Sequence, residues 1–205
     1  MNYIIYAPYI LFTNLIFILY FKIKKNNIYL IFILFLLLIL YFFRDYNINS
    51  LIYKDDNIVL SPANGTVKNI IEDDDNYIII IYLSLLDKHV QCNPMNGIIY
   101  KQIYKKGEFN LAYSLDKSNN NERLETWINT NYGEIKITQY AGLLARRIIS
   151  FHKKNDVIKK GEPFGLILFS SRVDIKIPKN NFKINIKIND YLNIGDNIGL
   201  FYNII

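Results

Sequence analysis

Cysteine and histidine are scarce in this chain of 205 residues, which contains one cysteine, Cys92, and two histidines, His89 and His152. A single cysteine excludes a disulfide framework, and a zinc cluster built on cysteines needs more thiolates than this chain has. The spacing His89-x-x-Cys92 could supply two metal ligands, but no further His or Cys is near it in the sequence. We therefore predict no metal site and expect Cys92 to be a small buried apolar residue.

A recognisable nucleic-acid-binding module is also missing, although the formal net charge is +6. The lysines are scattered among Asn, Ile and Tyr and are not gathered into one patch. Two explanations of the charge are left open: a bias in composition without a function, and attraction to anionic lipid. No nucleic-acid partner is predicted.

Charged residues are few in the first 43 residues, where two apolar runs, residues 3–21 and 28–43, flank a short lysine-rich link. A cleaved signal peptide is excluded because a basic start and a small-residue cleavage site are both absent. Buried helices of a soluble domain are disfavoured because neither run has a polar face. We predict that residues 1–43 form a helical membrane anchor, which places the protein at a membrane, and that residues 44–205 form the main domain.

The main domain is predicted to be mainly β, with a short helix. Val173, Ile175 and Ile177 alternate with polar residues and indicate a half-buried strand that Pro178 closes. Only residues 141–149 have a helical composition. Other short runs rich in β-branched and aromatic residues predict strands at residues 77–83, 133–138, 164–169 and 181–188.

Two pairs of segments in the main domain repeat each other. Pro62–Val67 is similar to Pro94–Ile99, and Ile158–Gly165 is similar to the segment that begins at Ile194. A repeated strand, glycine turn and strand favours a small β-sandwich or barrel of the hammerhead, barrel-sandwich hybrid-like type. Lipoyl and biotinyl carrier domains use similar turns, but this chain has no lysine in a recognisable motif at a hairpin tip. A β domain like the adaptor subunits of membrane pumps stays open as an alternative.

Six motifs follow one another in order along the chain. They are F-F-R-D at residues 42–45, L-S-P-A-N-G-T-V at 60–67, L-S-L-L-D-K-H at 83–89, N-E-R at 121–123, Q-Y-A-G-L-L-A-R-R-I at 139–148, and K-G-E-P-F-G at 160–165 leading to F-S-S-R-V-D at 169–174. This series resembles the short form of phosphatidylserine decarboxylase. Each motif is weak by itself, whereas six in order over most of the main domain are specific.

The resemblance implies that the chain cuts itself between Ser170 and Ser171. The Ser171 hydroxyl would attack the carbonyl of Ser170 to give an ester, and elimination would then leave a pyruvoyl group at position 171. The products would be a β chain that ends at residue 170 and an α chain of residues 171–205. The pyruvoyl group would serve as the electron sink that converts phosphatidylserine into phosphatidylethanolamine.

The resemblance also assigns the supporting residues. His89 would be the base in self-cleavage, because an imidazole can take and return a proton near neutral pH. The family has Asp where this chain has Asn64, and Gly where it has Ser170. The family carboxylate charges and orients the histidine, while an asparagine offers only a dipole. Arg146 and Arg147 could hold a phosphate, or could cap a helix or pair with carboxylates.

Two alternatives to this enzyme stay open. One is a decarboxylase-like protein that no longer processes itself and has a lipid-binding or structural role, and the other is the pump-adaptor-like domain. The expected partners are phosphatidylserine in a membrane and the protein's own α and β chains. A homodimer is left open.

Overall fold

The computed structural model describes residues 7–42, 54–143, 147–167 and 171–202. The chain divides into two compact units, residues 1–45 and 46–205. The domain boundary predicted between residues 43 and 44 falls on residues that the structure does not describe.

Two apolar helices, α1 (Ala7–Ile23) and α2 (Tyr29–Phe42), form the described part of the first unit. They pack on each other, with the rings of Phe17 and Phe32 stacked at 5.1 Å. At about 1.5 Å per residue, these helices measure about 26 and about 21 Å, less than the hydrocarbon core of about 30 Å. Nowhere in the described chain is a helix both long and apolar enough to cross a membrane. The prediction of a membrane anchor, and of a membrane localisation based on it, is therefore wrong.

Strands dominate the second unit, as predicted. Those of the described residues are β1 (Ile58–Leu60), β2 (Gly65–Glu72), β3 (Asn76–Leu83), β4 (Val90–Cys92), β5 (Gly97–Lys105), β6 (Arg123–Thr130), β7 (Gly133–Tyr140), β8 (Ile148–Ser150), β9 (Val157–Ile158), β10 (Pro163–Ile167), β11 (Ser171–Pro178), β12 (Phe182–Ile184), β13 (Tyr191–Leu192) and β14 (Asn197–Phe201). They form an eight-stranded antiparallel sheet, β13-β2-β3-β11-β7-β6-β5-β9, and two three-stranded antiparallel sheets, β1-β14-β12 and β4-β10-β8. The mainly β fold is confirmed. The strands that the structure describes do not close into a barrel.

Strand β11 lies at the centre of the large sheet, between β3 and β7. Its apolar side chains, Val173, Ile175 and Ile177, are fully buried in the core. The strand is more buried than the alternation predicted, because Arg172 and Asp174 on its other face are buried as well. These two charges pair with each other, which lowers the cost of removing them from water.

The helix predicted at residues 141–149 is wrong where the structure describes that segment. Ile148–Ser150 forms β8 and pairs with Gly165–Ile167 of β10, so sheet pairing overrides the local helical composition. The short helix of the second unit is α3 (Leu115–Ser118), in a polar region without an apolar pattern. The strand predicted at 181–188 shortens to β12, and β10 is described only as far as Ile167.

The two pairs of similar sequence segments belong to one structural repeat. The first half is β1–β3 with β11–β14, and the second half is β4–β10. The two halves share the same pairing pattern. In the first half β2 pairs with β3 and β13, and in the second half β5 pairs with β6 and β9. Likewise, β14 pairs with β1 and β12 in the first half, and β10 pairs with β4 and β8 in the second. Gly65 and Gly97 are equivalent, so the segments 62–67 and 94–99 are separated by 97 − 65 = 32 residues. Strands β7 and β11, one from each half, pair at the centre of the large sheet.

Candidate active site

Ser171 is the first residue of β11, where its backbone pairs with Leu83 at the end of β3. Its side chain is fully buried and shares the core-facing side of the strand with Val173. The Oγ atom has no hydrogen-bond partner among the described residues. A buried hydroxyl without a partner is costly as a purely structural feature, and it is available for chemistry.

His89 is brought towards Ser171 by two ties between the same two segments. Ser171 pairs with Leu83 at one end, and at the other end the Ile167 amide donates to the His89 carbonyl at 3.3 Å. The segments 83–89 and 167–171 are therefore held together at both ends. The His89 side chain is also buried, with 1% of its surface exposed. The structure thus places the predicted nucleophile and the predicted base in one region of the molecule.

Asp87 shapes the turn that leads from β3 to His89. Its Oδ2 accepts a hydrogen bond from the Ser84 amide at 2.7 Å, and its Oδ1 accepts one from the Tyr191 hydroxyl at 2.5 Å. These bonds close the turn and connect it to β13. They give a physical reason for an aspartate at this position of the L-S-x-x-D-x-H motif.

Asn64 holds a turn of the chain. Its Oδ1 accepts a hydrogen bond from the Ile194 amide at 3.1 Å, and its Nδ2 donates to Asn193 Oδ1 at 3.3 Å. Both ends of the amide are therefore engaged by the turn before Gly195. The support of His89 by the residue at this position stays a prediction.

Two buried glutamines, which the motif analysis did not single out as site residues, connect His89 to the centre of the large sheet. Gln91 Nε2 donates to the His89 carbonyl at 2.6 Å, and Gln139 Nε2 donates to Gln91 Oε1 at 2.8 Å. Both side chains are fully buried. Gln139 is the backbone partner of Val173, so its side chain is a diagonal neighbour of Ser171 on the same face of the sheet. The sequence signal that could have revealed Gln91 is a polar residue between the apolar Val90 and Cys92.

Arg172, next to Ser171, is a third residue that the motifs did not single out as a site residue. Its guanidinium forms two 2.7 Å hydrogen bonds to the carboxylate of Asp174. Its Nη1 also donates to Ser118 Oγ and to Asn119 Oδ1, at 2.9 Å each. The planar donor fork of arginine suits this arrangement. Arg172 therefore fixes the start of β11 to the α3 region.

The remaining predicted residues are placed in different ways. Ser170 and Arg146 lie outside the described residues. Arg147 is exposed and directly precedes Ile148, which pairs with Ile167 near the cleavage segment. His152 has a structural setting, with Nε2 3.0 Å from the Pro163 carbonyl and Nδ1 3.8 Å from Asp156.

Cys92 is buried, as expected, and its Sγ donates a hydrogen bond to the Ser61 carbonyl at 3.3 Å. Burial raises the pKa of the Cys92 thiol well above its ordinary value, so the group keeps its proton. A protonated thiol is a poor metal ligand. The described residues contain no group of three or more His, Cys, Asp or Glu side chains placed to bind a metal ion.

Comparisons with known proteins agree with the motifs. A family model described as phosphatidylserine decarboxylase matches residues 35–200. A Methanosarcina mazei protein, provisionally named archaetidylserine decarboxylase proenzyme, is 38% identical over 157 residues, which cover 77% of this chain and 72% of the relative. The phosphatidylserine decarboxylase proenzyme of Carboxydothermus hydrogenoformans is 35% identical over 162 residues, which cover 76% of this chain and 75% of that protein.

Proposed function

Since this chain belongs to the phosphatidylserine decarboxylase family, we propose that it cuts itself before Ser171 and converts phosphatidylserine into phosphatidylethanolamine. The observation that supports this most is the buried, unpartnered hydroxyl of Ser171 within the described residues. It lies in the F-S-S-R-V-D motif, at the start of a strand that the surrounding sheet holds on both sides.

Self-cleavage begins when Ser171 Oγ attacks the carbonyl carbon of residue 170. The peptide C–N bond breaks, an ester forms, and the nitrogen of residue 171 becomes an amine. Loss of the Cα proton of residue 171 then expels the ester as the carboxylate of residue 170, which retains the former serine oxygen. One water molecule enters and one ammonia leaves, which gives a pyruvoyl group at the new N-terminus.

His89 is the base in this scheme. A base must take the hydroxyl proton of Ser171 in the first step and the Cα proton in the second. The two ties between segments 83–89 and 167–171 keep His89 in the same region as Ser171 in the uncut chain. Burial of both side chains limits access of water, which would otherwise hydrolyse the ester before elimination.

The pyruvoyl group fits this position, because the buried end of β11 offers a polar atom without a structural partner among the described residues. When bound at the α chain's N-terminus, it supplies a ketone that accepts the electrons released as CO₂ leaves. His89 is the group that can return a proton to the product. Arg147 is exposed near the cleavage segment and can pair with the headgroup phosphate.

The experiment compares the wild-type chain with Ser171→Ala, using phosphatidylserine in detergent micelles and measuring released CO₂. Wild type is expected to be cut and active, and Ser171→Ala to be uncut and inactive. Ser61→Ala is the matched control, because Ser61 is equally buried but its hydroxyl donates to the Ala63 carbonyl at 2.8 Å. An uncut wild-type chain that binds the lipid without releasing CO₂ would instead favour a non-processing lipid-binding protein. A parallel assay with archaetidylserine tests whether the shared phosphoserine headgroup is sufficient.

A further inference from the structure

We propose that Gln91 and Gln139 are positioning residues for self-cleavage, which hold the backbone of His89 in place for its reaction with Ser171. This inference rests on the proposed function and extends it to two residues outside the expected machinery. The two side chains form an unbranched series of hydrogen bonds, from Gln139 to Gln91 and from Gln91 to the His89 carbonyl.

The distances show that the His89 carbonyl is a shared acceptor. It receives Gln91 Nε2 at 2.6 Å and the Ile167 amide at 3.3 Å. The hydrogen bond from the Ile167 amide to the His89 carbonyl occurs in both halves of the fold. Its equivalent in the first half is the hydrogen bond from the Phe201 amide to the Asn57 carbonyl, at 2.9 Å. The glutamine bond is additional to that shared framework.

The internal repeat shows what the fold itself requires at the two glutamine positions. Gln91 pairs with Gly165 as Val59 pairs with Gly199, so Gln91 and Val59 are equivalent. In the first half, therefore, a buried valine occupies the position of Gln91.

The same comparison applies to Gln139. Gln102 and Ile70 are equivalent, because they are 102 − 70 = 32 residues apart. Across the sheet, Gln102 pairs with Thr126, which pairs with Ile137. Ile70 pairs with Ile79, which pairs with Ile175, so Ile137 and Ile175 are equivalent as well. Gln139 follows Ile137 by two residues, as Ile177 follows Ile175, so the equivalent of Gln139 is a fully buried isoleucine. The fold thus accepts aliphatic side chains at both positions, and burial of two amides needs another reason.

Gly165 provides the room for this pair. A Cβ atom at position 165 would lie 2.9 Å from Gln139 Nε2 and 2.7 Å from the Ile149 carbonyl oxygen. The close approach of the β10 backbone therefore confines the Gln139 side chain. A confined amide holds its partner at a defined position with little loss of entropy.

A second observation points in the same direction. Gln139 Oε1 is buried and has no hydrogen-bond partner among the described residues, as is true of Ser171 Oγ. The two residues are diagonal neighbours on one face of the large sheet. The second half therefore has two hydrogen-bonded amides, one of which, Gln139, neighbours Ser171 and, among the described residues, has a free acceptor. The first half has aliphatic side chains at both equivalent positions.

The test replaces both glutamines with the residues of the other half, in the double variant Gln91→Val/Gln139→Ile. Removal of both partners of a buried hydrogen bond is close to neutral for folding. Self-cleavage is expected to slow by about 10–100-fold, the usual effect of misplacing a reacting group. Gln102→Leu is the control, because the Gln102 amide bonds to Thr126 and Ser150 and not to His89, and we expect it to be cut at the wild-type rate.

Hydroxylamine separates positioning from a general loss of structure, since it attacks the ester and releases residue 170 as a hydroxamate. A folded double variant with slow cutting and a changed yield of hydroxamate supports the proposal. Gln91→Met is the second variant, because it keeps the volume and removes only the amide that reaches the His89 carbonyl. Cutting at the wild-type rate in either variant would overturn the proposal, whereas an uncut wild type would overturn the proposed function itself.

Discussion

Asn64 and Asn96 occupy equivalent positions in the two halves of the β unit and hold equivalent turns. Asn64 Oδ1 accepts the Ile194 amide at 3.1 Å, and Asn96 Oδ1 accepts the Lys160 amide at 2.8 Å. The side-chain oxygen at this position therefore has a structural task in both halves. An aspartate could perform the same task, since it also presents an acceptor.

Asn64→Asp is expected to speed self-cleavage and to lower stability slightly. A carboxylate stabilises a cationic His89 better than an amide does. The substitution also replaces the 3.3 Å bond from Nδ2 to Asn193 with two facing oxygens, at a cost of about 1 kcal/mol. Pulse-chase labelling of precursor conversion measures the first effect, and urea unfolding of the same change in a Ser171→Ala background measures the second.

Asn96→Asp is the matched control for that variant. It holds the equivalent turn, and a carboxylate there would face Asp56, which now accepts from Asn96 Nδ2 at 3.0 Å. Stability should fall while the cutting rate stays at the wild-type value. If Asn64→Asp behaves in the same way as Asn96→Asp, then Asn64 is only a turn residue and does not support His89.

The α chain is expected to stay bound after cleavage without a covalent link. Its first strand, β11, is paired along its length with β3 and in part with β7, and it contributes Val173 and Ile175 to the core. The fragments should co-elute in native buffer and separate only in denaturant.

Association of two fragments makes the melting temperature depend on protein concentration. The Tm of the cut protein should therefore rise with concentration, while that of uncut Ser171→Ala stays constant. Equal behaviour of the two proteins would show that the cut protein does not unfold by separation of its chains.

Loss of the Asp174 carboxylate should destabilise the protein strongly. Asp174→Ala would leave the buried Arg172 guanidinium without its bidentate partner, which costs about 3–5 kcal/mol for a buried pair. Lys176→Ala is the control, because Lys176 lies on the same strand as Asp174 and the change breaks only its partly exposed 3.6 Å pair with Asp73, which is worth about 0–1 kcal/mol. Urea unfolding in the Ser171→Ala background measures both, and equal losses would contradict the stabilising role of the buried Arg172–Asp174 pair.

Glu125 is expected to make stability depend on pH in the acid range. Burial opposes ionisation of this carboxyl, but hydrogen bonds from Lys105 and Arg123 and the charge of Lys136 outweigh burial, so its pKa lies below the ordinary value. A carboxyl with a lowered pKa stabilises the folded protein at pH values above its pKa in the unfolded chain, about 4.3. This stabilisation is lost as the pH falls through the pKa of the folded protein. Wild type should thus exceed Glu125→Gln in unfolding free energy near neutral pH, and the difference should shrink below about pH 4.5. A constant difference would show that the ion pairs of Glu125 do not contribute.

Local pattern is sufficient to predict the central strand of the large sheet, whereas the role of Ser171 as the nucleophile stays a prediction. The alternation at Val173, Ile175 and Ile177 depends only on neighbours along the chain, and the sheet buries these residues as expected. The helix predicted at residues 141–149 is wrong where the structure describes it, because the pairing of residues 148–150 with β10 is a contact between segments that local composition does not encode. The composition of the apolar runs near the N-terminus predicts a membrane anchor, but composition does not fix helix length, and no helix among the described residues is long and apolar enough to cross a membrane.

The support of the site was harder to predict. Gln91 and Gln139 are 139 − 91 = 48 residues apart in sequence and meet only through the sheet. The similarity between residues 62–67 and 94–99 indicates one of these positions, since the same offset of 32 residues aligns Gln91 with Val59. Without the strand register, nothing in the sequence indicates that this exchange of a valine for a glutamine lies between Gln139 and the His89 carbonyl.

Mass spectrometry of the freshly purified full-length protein under denaturing conditions tests self-cleavage most directly. Self-cleavage before Ser171 predicts two chains, residues 1–170 and a fragment of 205 − 171 + 1 = 35 residues whose N-terminus is a pyruvoyl group and resists Edman degradation. Ser171→Ala should give one uncut chain. A single intact species of 24.2 kDa in active wild-type protein would contradict self-cleavage as the source of activity.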